Sequence, residues 1–352
     1  MLSSTKKLGV WFPTVRCGTG TDVFTITLVE ELNKLGIRAE ITWLPHHAEY
    51  LPWFVHKPKV PEWATVAHIN TWLHPRFIPS NFPVVATLHH SIHDPELQQY
   101  KGFLRAQYHN YWIKNIERRT MQRADKVAAV SQFATNITQQ HVIDTPISVI
   151  YNGIDTKKFV PMKSNKVNDP FQLLYVGGWK QLKGVDLLAP IMKELGENYV
   201  LYFTGGQSVE LEQKNMPSNM VDIGRLNQVE VINAMQQADA LLFPTRSEGF
   251  GLVAIEAQAC GLPVITTNGS ALPEVVQHRK TGFLCEKNNV QSFVEAIKTL
   301  KETKGLQKEL SLSARSYTEK NFKIDKMVHQ YVEVYGTLLT PIRSDRILAN
   351  WL

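Results

Sequence analysis

The sequence predicts an α/β fold with two Rossmann-like, doubly wound domains in tandem. At 352 residues the chain is longer than one hydrophobic core usually organises, and 43% of its residues are hydrophobic. Short apolar runs alternate with helical stretches in two successive series, which is typical of parallel sheets whose strands are connected by helices. A turn signal, Asn152-Gly153, marks the expected hinge between the domains.

The first series of predicted elements fills the N-terminal half. A strand at 8–12 precedes a loop at 18–22, a helix at 23–35 and a strand at 37–44. Further short strands are predicted at 66–69, 84–88 and 127–130. We expect these elements to form one domain over residues 1–152.

A second series of predicted strands begins at 147–150. Its other strands are predicted at 173–176, 199–203, 220–223, 240–243 and 264–265, with helices between them. Residues 163–170 form the loosest polar segment, and residues 290–320 and 326–339 have helical character. We expect a C-terminal domain over 153–325 and a separate final segment, 326–352.

Composition argues against several classes of protein. No apolar run reaches the roughly 18 residues of a membrane-spanning helix, and residues 1–7 lead into a strand without a signal peptide. Cys17, Cys260 and Cys285 are few and widely spaced, which disfavours a disulfide framework or a zinc site. We therefore expect a cytoplasmic protein.

The net charge of +6 is concentrated in the front half, where residues 1–160 carry 17 Lys and Arg against 12 Asp and Glu. In 101–126, basic side chains alternate with aromatic ones on a predicted helix. Such a helix either docks on anionic headgroups or a phosphorylated acceptor, or is a solvated face whose apolar side packs on the core. Because no zinc-finger, RNA-binding or basic-zipper pattern occurs, nucleic acid is not an expected partner.

The clearest chemical pattern is a pair of carboxylates, Glu248 and Glu256, eight positions apart around a glycine-rich turn. A short buried strand is predicted before the turn and a helix at 251–260 after it, so Glu248 lies in the loop and Glu256 in the helix. Free amides at a helix N-terminus bind anions, and carboxylates accept hydrogen bonds from paired hydroxyls. One ligand with a ribose, a diphosphate and a sugar would satisfy all three features.

This pattern resembles the Glu-x7-Glu signature of the retaining glycosyltransferases of family 4, which have the two-domain GT-B fold. The resemblance extends to Val176-Gly177, Lys183-Gly184-Val185-Asp186, Val130-Ser131, Asn152-Gly153-Ile154-Asp155 with Phe159, and Ala86-Thr87-Leu88-His89. It implies two domains that face each other across a cleft, an acceptor-side N-terminal domain, a nucleotide-sugar-binding C-terminal domain, and a last helix that crosses back to the first domain.

The resemblance also implies roles for individual residues. The helix N-terminus after Gly251 would receive the diphosphate, Glu256 would pair with the ribose and Glu248 would contact the donor sugar; the alternative is that Glu248 caps the helix and Glu256 is merely exposed. Lys183 would neutralise the leaving diphosphate. His89, at the end of a predicted strand, would lie against the sugar.

Other donor contacts are expected from backbone and cationic groups. The family usually has an arginine directly after the glycine that follows the strand, where this sequence has Gly178. Lys180 or Arg246 is the expected substitute. The remaining predicted contacts are Gly249, Phe250, Gly251 and Leu252 at the turn, Gly18 and Gly20 in the first loop, and Gly177.

No metal or other cofactor is expected. The chain has no Asp-x-Asp pair to hold a divalent ion against a diphosphate, so turnover should be metal-independent. His89 and His93 are one helical turn apart, but no carboxylate or cysteine in the nearby sequence completes a ligand set. His90 and His93 are therefore expected to be acceptor-side or structural.

The expected reaction transfers a sugar from a UDP- or GDP-sugar to a glycan or lipid-linked acceptor, in cell-surface polysaccharide, lipopolysaccharide or glycolipid assembly, with peripheral membrane contact through the basic N-terminal domain. The alternatives are a nucleotide-sugar epimerase of the same architecture and a non-catalytic, two-lobed sugar-binding protein. A third alternative is an NAD-dependent enzyme. Gly18 and Gly20 with Glu40 resemble part of a dinucleotide fingerprint, but Val23 stands where its third glycine would be.

Overall fold

The computed structural model describes residues 7–90, 92–162, 169–206 and 216–339. Within these residues, the chain forms two six-stranded sheets, each parallel throughout, with helices between the strands. The predicted pair of doubly wound α/β domains is therefore confirmed. Residues 163–168 of the predicted loose segment, and the C-terminal residues 340–352, lie outside the described part of the chain.

The N-terminal sheet has the strand order β2-β1-β3-β4-β5-β6. Its strands are β1 (Gly9–Val15), β2 (Arg38–Leu44), β3 (Val66–Asn70), β4 (Val84–Leu88), β5 (Lys126–Ala129) and β6 (Ser148–Val149). Its helices are α1 (Gly20–Lys34), α2 (Phe103–Gln107), α3 (Lys114–Arg123) and α4 (Gln132–His141), with a π-helical turn (Tyr108–Ile113) that joins α2 to α3. Short 3₁₀ turns lie at His46–Glu49, Pro52–Phe54, Pro75–Phe77 and Pro95–Tyr100.

The C-terminal sheet has the order β12-β11-β10-β7-β8-β9. Its strands are β7 (Phe171–Tyr175), β8 (Tyr199–Phe203), β9 (Met220–Asp222), β10 (Ala240–Phe243), β11 (Val264–Thr267) and β12 (Gly282–Cys285). The helices of this half are α5 (Val185–Leu195), α6 (Gln228–Gln237), α7 (Leu252–Ala259), α8 (Leu272–Val275), α9 (Val290–Glu302), α10 (Leu306–Asn321) and α11 (Ile324–Leu339).

Three sequence-based assignments were wrong in detail. The strand at 147–150 does not open the second sheet, because β6 pairs in parallel with β5 at the edge of the first. Strand β12 was missed, since its four residues carry too short a pattern to be distinguished from a loop. Helix α1 begins at Gly20 and not at residue 23, because the chain leaves its extended conformation directly after Thr19.

The last helix, α11, packs on the N-terminal sheet although it follows the C-terminal domain in the chain. Met327, Val328, Tyr331 and Tyr335 are buried in the same core as Val10 of β1. Two of the tyrosines also bond to the sheet. The hydroxyl of Tyr335 lies 2.6 Å from Nδ1 of His68, and the hydroxyl of Tyr331 lies 3.1 Å from Oγ1 of Thr87.

The chain crosses between the two sheets twice, and both crossings meet beside Gly153. The amide of Ile154 donates to the carbonyl of Phe322 at 2.7 Å, and the amide of Ile324 donates back to Ile154 at 3.1 Å. A Cβ on residue 153 would lie 2.5 Å from the Cα of Ile324, so only glycine allows this close approach. The predicted hinge at Asn152-Gly153 thus coincides with a tight junction of two backbone segments.

Candidate active site

The first backbone amides of α7 have no carbonyl partner within the helix. Gly251 precedes the helix with φ of 97°, a left-handed conformation that favours glycine. The first amides to bond within the helix, those of Ala254 and Ile255, both donate to the carbonyl of Gly251. The amides of Leu252 and Val253 lie before these bonds, where a helix N-terminus attracts an anion.

Glu248 and Lys183 form an ion pair next to this turn. The Lys183 Nζ lies 2.7 Å from the Glu248 Oε1, and the two side chains are 29% and 13% exposed. Gly184 explains why the lysine reaches this position, because its φ is 71° and a Cβ there would lie 2.0 Å from the carbonyl oxygen of Pro244. The Lys-Gly pair thus packs directly under the loop that carries Glu248.

Glu256 lies one turn into α7 and is partly buried. Burial raises the pKa of its carboxyl to about 7. The side chain lines a cavity of about 280 Å³ between α1 and the C-terminal domain, to which Asn152, Lys158 and Gln228 also contribute. A half-buried carboxyl in a polar cavity is suited to accept hydrogen bonds from ligand hydroxyls.

His89 meets the glycine-rich turn from the opposite domain. The structure leaves no room for a side chain at Gly249, because a Cβ there would lie 2.1 Å from the carbonyl oxygen of His89. The Ser131 hydroxyl donates to the Gly249 carbonyl at 2.6 Å and fixes this contact. The His89 ring packs edge-on against Phe24, with centroids 4.6 Å apart. Burial, and then the neighbouring His90 and His68, hold the pKa of His89 well below its usual range, so the imidazole is neutral at pH 7.

The first glycine-rich loop faces α7 across the cleft. The Asp22 carboxylate accepts hydrogen bonds from the amides of Cys17 and Gly18, at 3.0 and 2.7 Å, and so shapes the loop. Gly20 opens α1, and a Cβ on it would lie 3.9 Å from a methyl carbon of Leu252. The N-termini of α1 and α7 therefore face each other, one from each domain.

Glu274 joins the domains at a second point that sequence reasoning did not interpret. Its two carboxylate oxygens accept hydrogen bonds from the amides of Gln132 and Phe133, both at 2.8 Å, at the N-terminus of α4. Lys287 also reaches Glu96 of the N-terminal domain at 2.7 Å. Glu274 follows Pro273 shortly after the glycine-rich turn, but its partners lie more than 140 positions earlier in the chain and could only be found from the fold.

Arg246 and Lys180, the two predicted substitutes for the family's arginine, differ in their surroundings. The Arg246 guanidinium is held by Asp186 in a two-pronged ion pair at 2.6 and 2.7 Å, and Nε donates to Asn288 at 2.6 Å. Burial alone would raise the pKa of Asp186, but the hydrogen bonds and charge of Arg246 outweigh it and lower that pKa. Lys180, by contrast, is exposed next to Gly178, where an added Cβ would meet no atom within 4 Å. Of the two predicted substitutes, Lys180 is therefore the more exposed, whereas Arg246 is already bound to Asp186.

The remaining predicted glycine, Gly177, follows β7. Its amide donates to Oγ1 of Thr204 at 3.1 Å, and a Cβ on it would lie 3.0 Å from the hydroxyl of Tyr175. The position therefore tolerates no larger residue without a shift of Tyr175. The structure thus places Gly177 at the carboxyl end of a central strand, on the same sheet edge as the turn before α7.

The histidine pair His89 and His93 does not form a metal site of the kind considered from the sequence. The residues around His93 form a turn rather than a helix, and its Nε2 lies 2.6 Å from the Glu117 carboxylate, with both side chains buried. The fold thus brings the Glu117 carboxylate to His93 from 24 positions further along the chain. His90 lies at the cleft, with its Nε2 3.4 Å from the Thr21 hydroxyl.

A different trio of side chains comes together within the described residues. Cys17, His46 and Glu49 have potential metal-ligand atoms within 4.8 Å of one another. Burial, and then the charges of Glu49 and Asp22, raise the pKa of the Cys17 thiol to about 11. The thiol is therefore protonated at neutral pH, a form that binds metal poorly.

This trio lines a cavity of about 380 Å³ in the N-terminal domain. His89 and His90 line the cavity, and most of the other lining residues have aromatic or polar side chains. Its other lining residues include Thr19, Thr21, Tyr50, Asn70, Trp72, Arg105, Tyr108 and His109. All of these lining residues belong to the N-terminal domain, which the family resemblance implies to be the acceptor side, and the cavity is called the acceptor-side cavity below.

Comparisons with known proteins agree with this architecture. A sucrose-phosphate synthase from Thermosynechococcus elongatus has 18% sequence identity, covers 94% of this chain and 99% of its own, and superposes with a TM-score of 0.79. The Anabaena protein HepE, crystallised with UDP and glucose, has 16% identity, covers 94% and 100% of the two chains, and gives a TM-score of 0.72. The fold is therefore that of the GT-B glycosyltransferases.

Sequence comparisons relate the chain to two particular groups of glycosyltransferases. Residues 156–317 match the family described as Glycosyl transferases group 1, and residues 30–158 match Glycosyltransferase Family 4. An uncharacterized glycosyltransferase of Methanocaldococcus jannaschii is 34% identical over 218 residues, which are 61% of this chain and 60% of that protein. The alignments with the first curated relatives span 60 to 65% of those relatives' lengths. The chain is thus a GT-B protein related in sequence to group 1 and family 4 glycosyltransferases.

Proposed function

We propose that the protein transfers a sugar from a nucleotide diphosphate sugar, a UDP- or GDP-sugar, to an acceptor hydroxyl. One observation carries this proposal. Glu248, paired with Lys183, lies at the start of the turn into α7, and the next residue, Gly249, contacts His89 across the cleft. An acidic group, a cation and a helix N-terminus thus lie together in the C-terminal domain, next to the backbone of His89 in the N-terminal domain.

Each group has a role in the proposed reaction. The amides that open α7 bind the diphosphate, and Glu256 accepts hydrogen bonds from the ribose hydroxyls. When the sugar–oxygen bond breaks, negative charge develops on the leaving diphosphate, and Lys183 stabilises it. Glu248 and the neutral His89 orient the donor sugar. Closure of the domains around the substrates would exclude water and protect the donor from hydrolysis.

Finer features of the proposal rest on the family resemblance and on the composition and charge of the sequence. Transfer proceeds with retention of the anomeric configuration, and the departing phosphate takes the proton of the acceptor. Neither a metal nor another cofactor is needed, because cationic side chains and helix amides hold the diphosphate. The acceptor is a glycan or a lipid-linked sugar of cell-surface polysaccharide, lipopolysaccharide or glycolipid assembly. The enzyme works in the cytoplasm, in peripheral contact with an anionic membrane.

A panel of nucleotides and nucleotide sugars in a thermal-shift assay tests the proposal. A ligand that binds only the folded state raises its melting temperature, and we expect UDP or GDP and one of its sugars to do so. Glu256→Ala should abolish the shift, whereas Glu309→Ala, which removes an exposed carboxylate on α10, should preserve it. If no nucleotide shifts the melting temperature, the proposal fails.

Product analysis separates the proposal from its rivals. An epimerase would release an altered nucleotide sugar without any acceptor. A binding protein would show the thermal shift and leave the donor unchanged. Transfer predicts release of the nucleoside diphosphate that depends on an acceptor fraction.

A further inference from the structure

The N-terminal domain carries a group of exposed large apolar side chains, here called the apolar patch. It consists of Tyr50, Leu51, Trp53, Phe54, Phe103, Leu104 and Tyr111, whose exposed fractions run from 46% to 82%. Single exposed apolar residues are ordinary, but seven drawn from two short segments are not. Such a concentration indicates an interaction surface.

The two segments of the apolar patch are packed on each other. The rings of Tyr50 and Tyr108 have centroids 5.6 Å apart, and those of Trp53 and Trp112 are 5.9 Å apart. Glu49 links both segments, because its side chain accepts a hydrogen bond from the Tyr108 hydroxyl at 3.0 Å and its carbonyl accepts one from the Trp112 indole at 3.2 Å. The patch therefore has a fixed base.

Within the two chain segments that carry the apolar patch, the exposed charged side chains are all basic. Within 45–60 and 101–123 the acidic side chains are Glu49 and Glu117, which are 8% and 1% exposed. The same two segments contain the basic residues Lys57, Lys59, Lys101, Arg105, Lys114, Arg118, Arg119 and Arg123.

Basic groups also lie close to the patch in space. The His74 ring lies 5.4 Å from that of Trp53. Burial, and then the charges of Arg119 and Arg76, lower the pKa of His74. Arg119 and one further cation, Arg76, are thus near the Trp53 side of the patch.

The apolar patch continues into the acceptor-side cavity. Tyr50 belongs to the patch and also lines the cavity, as do Arg105 and Tyr108 of the helical segment that carries the rest of the patch. His89 and His90, beside the proposed donor site, line the same cavity. A molecule anchored at the patch could therefore extend its polar head toward His89.

We propose that the apolar patch inserts into an anionic phospholipid bilayer, and that the acceptor is an amphiphile whose polar head enters the cavity from that bilayer. The insertion is independent of catalysis, but the statement about the acceptor rests on the proposed glycosyl transfer. Aromatic and aliphatic side chains enter the headgroup boundary, and the surrounding Lys and Arg attract anionic headgroups. A second copy of the chain fits less well, because a symmetric contact would place the same positive charges against each other.

Vesicle flotation tests the insertion directly. The wild-type protein should float with vesicles of phosphatidylglycerol and phosphatidylcholine in about a 3:7 ratio, and less with phosphatidylcholine alone. Phe54→Ala with Leu104→Ala should lower binding about tenfold or more, since two largely exposed apolar side chains no longer enter the bilayer. The matched control is Val229→Ala with Leu312→Ala, which removes two exposed apolar side chains from the C-terminal domain and should leave binding unchanged.

Two outcomes would overturn the insertion: wild-type protein that fails to float with anionic vesicles, or a Phe54 and Leu104 double variant that floats as well as the wild type. If the wild type is dimeric by light scattering and the double variant is monomeric, a second copy occupies the patch instead. The nucleotide thermal shift, measured on every variant, keeps the two proposals apart. Lost flotation with an intact shift removes only the membrane proposal, and an absent shift with intact flotation removes only the donor site.

Discussion

The Lys183 ammonium lies 2.7 Å from the Glu248 carboxylate, and this ion pair connects the end of one loop to the entrance of α7. Both side chains retain partial solvent exposure, so the pair is open to a ligand. A diphosphate at the α7 N-terminus would compete for the ammonium, and its arrival would release Glu248 toward the sugar. The same two residues thus serve the unliganded structure and the proposed reaction.

Replacing Lys183 by alanine should slow transfer by about 100-fold or more, because the charge of the leaving diphosphate loses its cation. Steady-state kinetics measure this, and Lys193→Ala, which removes an exposed lysine from α5, should stay near the wild-type rate. Lys183→Arg should recover part of the rate. Unchanged turnover in Lys183→Ala with a lowered melting temperature would show that the lysine only supports the loop.

Glu256 should make nucleotide binding depend on pH. The pKa of its carboxyl is raised by burial to about 7, so the carboxylate that accepts from the ribose is lost as pH falls through that value. Affinity for UDP or GDP should therefore weaken severalfold from about pH 8 to about pH 6. Titration calorimetry at both pH values checks this, and Glu256→Gln should remove the dependence. A pH-independent affinity in the wild type would contradict the assignment.

The same residue should reduce stability at alkaline pH. Its pKa is raised in the folded state from 4.5 to about 7, so the folded protein holds the proton more tightly than the unfolded chain. Stability from this group is complete below the unfolded pKa, falls between about pH 4.5 and 7, and is lost above. Glu256→Gln should therefore raise the free energy of unfolding at pH 8 by up to about 3 kcal/mol and leave it unchanged near pH 4. Denaturant titrations with equal stability at pH 8 would rule this out.

Gly178 is the position where a phosphate-binding arginine is missing, and the structure leaves it open. No atom lies within 4 Å of an added Cβ, so Gly178→Arg should fold normally. The added guanidinium should tighten binding of the nucleoside diphosphate severalfold. Gly336→Arg, on the exposed side of α11, adds the same charge elsewhere and should leave affinity unchanged. Equal affinities for both variants would mean that residue 178 does not face the diphosphate.

Turnover should persist in excess chelator and should not rise when magnesium or manganese is added. Cationic side chains and helix amides, in this proposal, hold the diphosphate without an ion. An assay with and without EDTA measures this. If activity vanishes and a metal restores it, the Cys17, His46 and Glu49 trio becomes the first group to substitute.

Much of the architecture could be predicted from the sequence because its signals are local. The alternation of apolar runs and helices predicts two parallel sheets, and Gly251 before a helix marks the turn that we propose to bind an anion. Two of the four edge strands were not assigned correctly, since β6 and β12 are short and their partners are decided by tertiary pairing. The place of α11 on the N-terminal sheet was implied only by the family resemblance.

The candidate active site could likewise be predicted only in part. Glu248, Glu256 and Lys183 follow from spacing and neighbours, but the partners of Arg246 and Glu274 do not. Asp186 lies 60 positions before Arg246, and the amide of Phe133 lies 141 positions before Glu274. Such contacts depend on how the domains meet, and no local pattern carries that information. None of the described helices is both long enough and apolar enough to cross a bilayer.

A crystal structure of the protein with its bound nucleotide tests the central claim most directly. We expect the diphosphate oxygens within hydrogen-bonding distance of the amides that open α7, the ribose against Glu256, and the Lys183 ammonium turned toward phosphate. A diphosphate bound elsewhere, with the Lys183 and Glu248 pair undisturbed, would contradict the account.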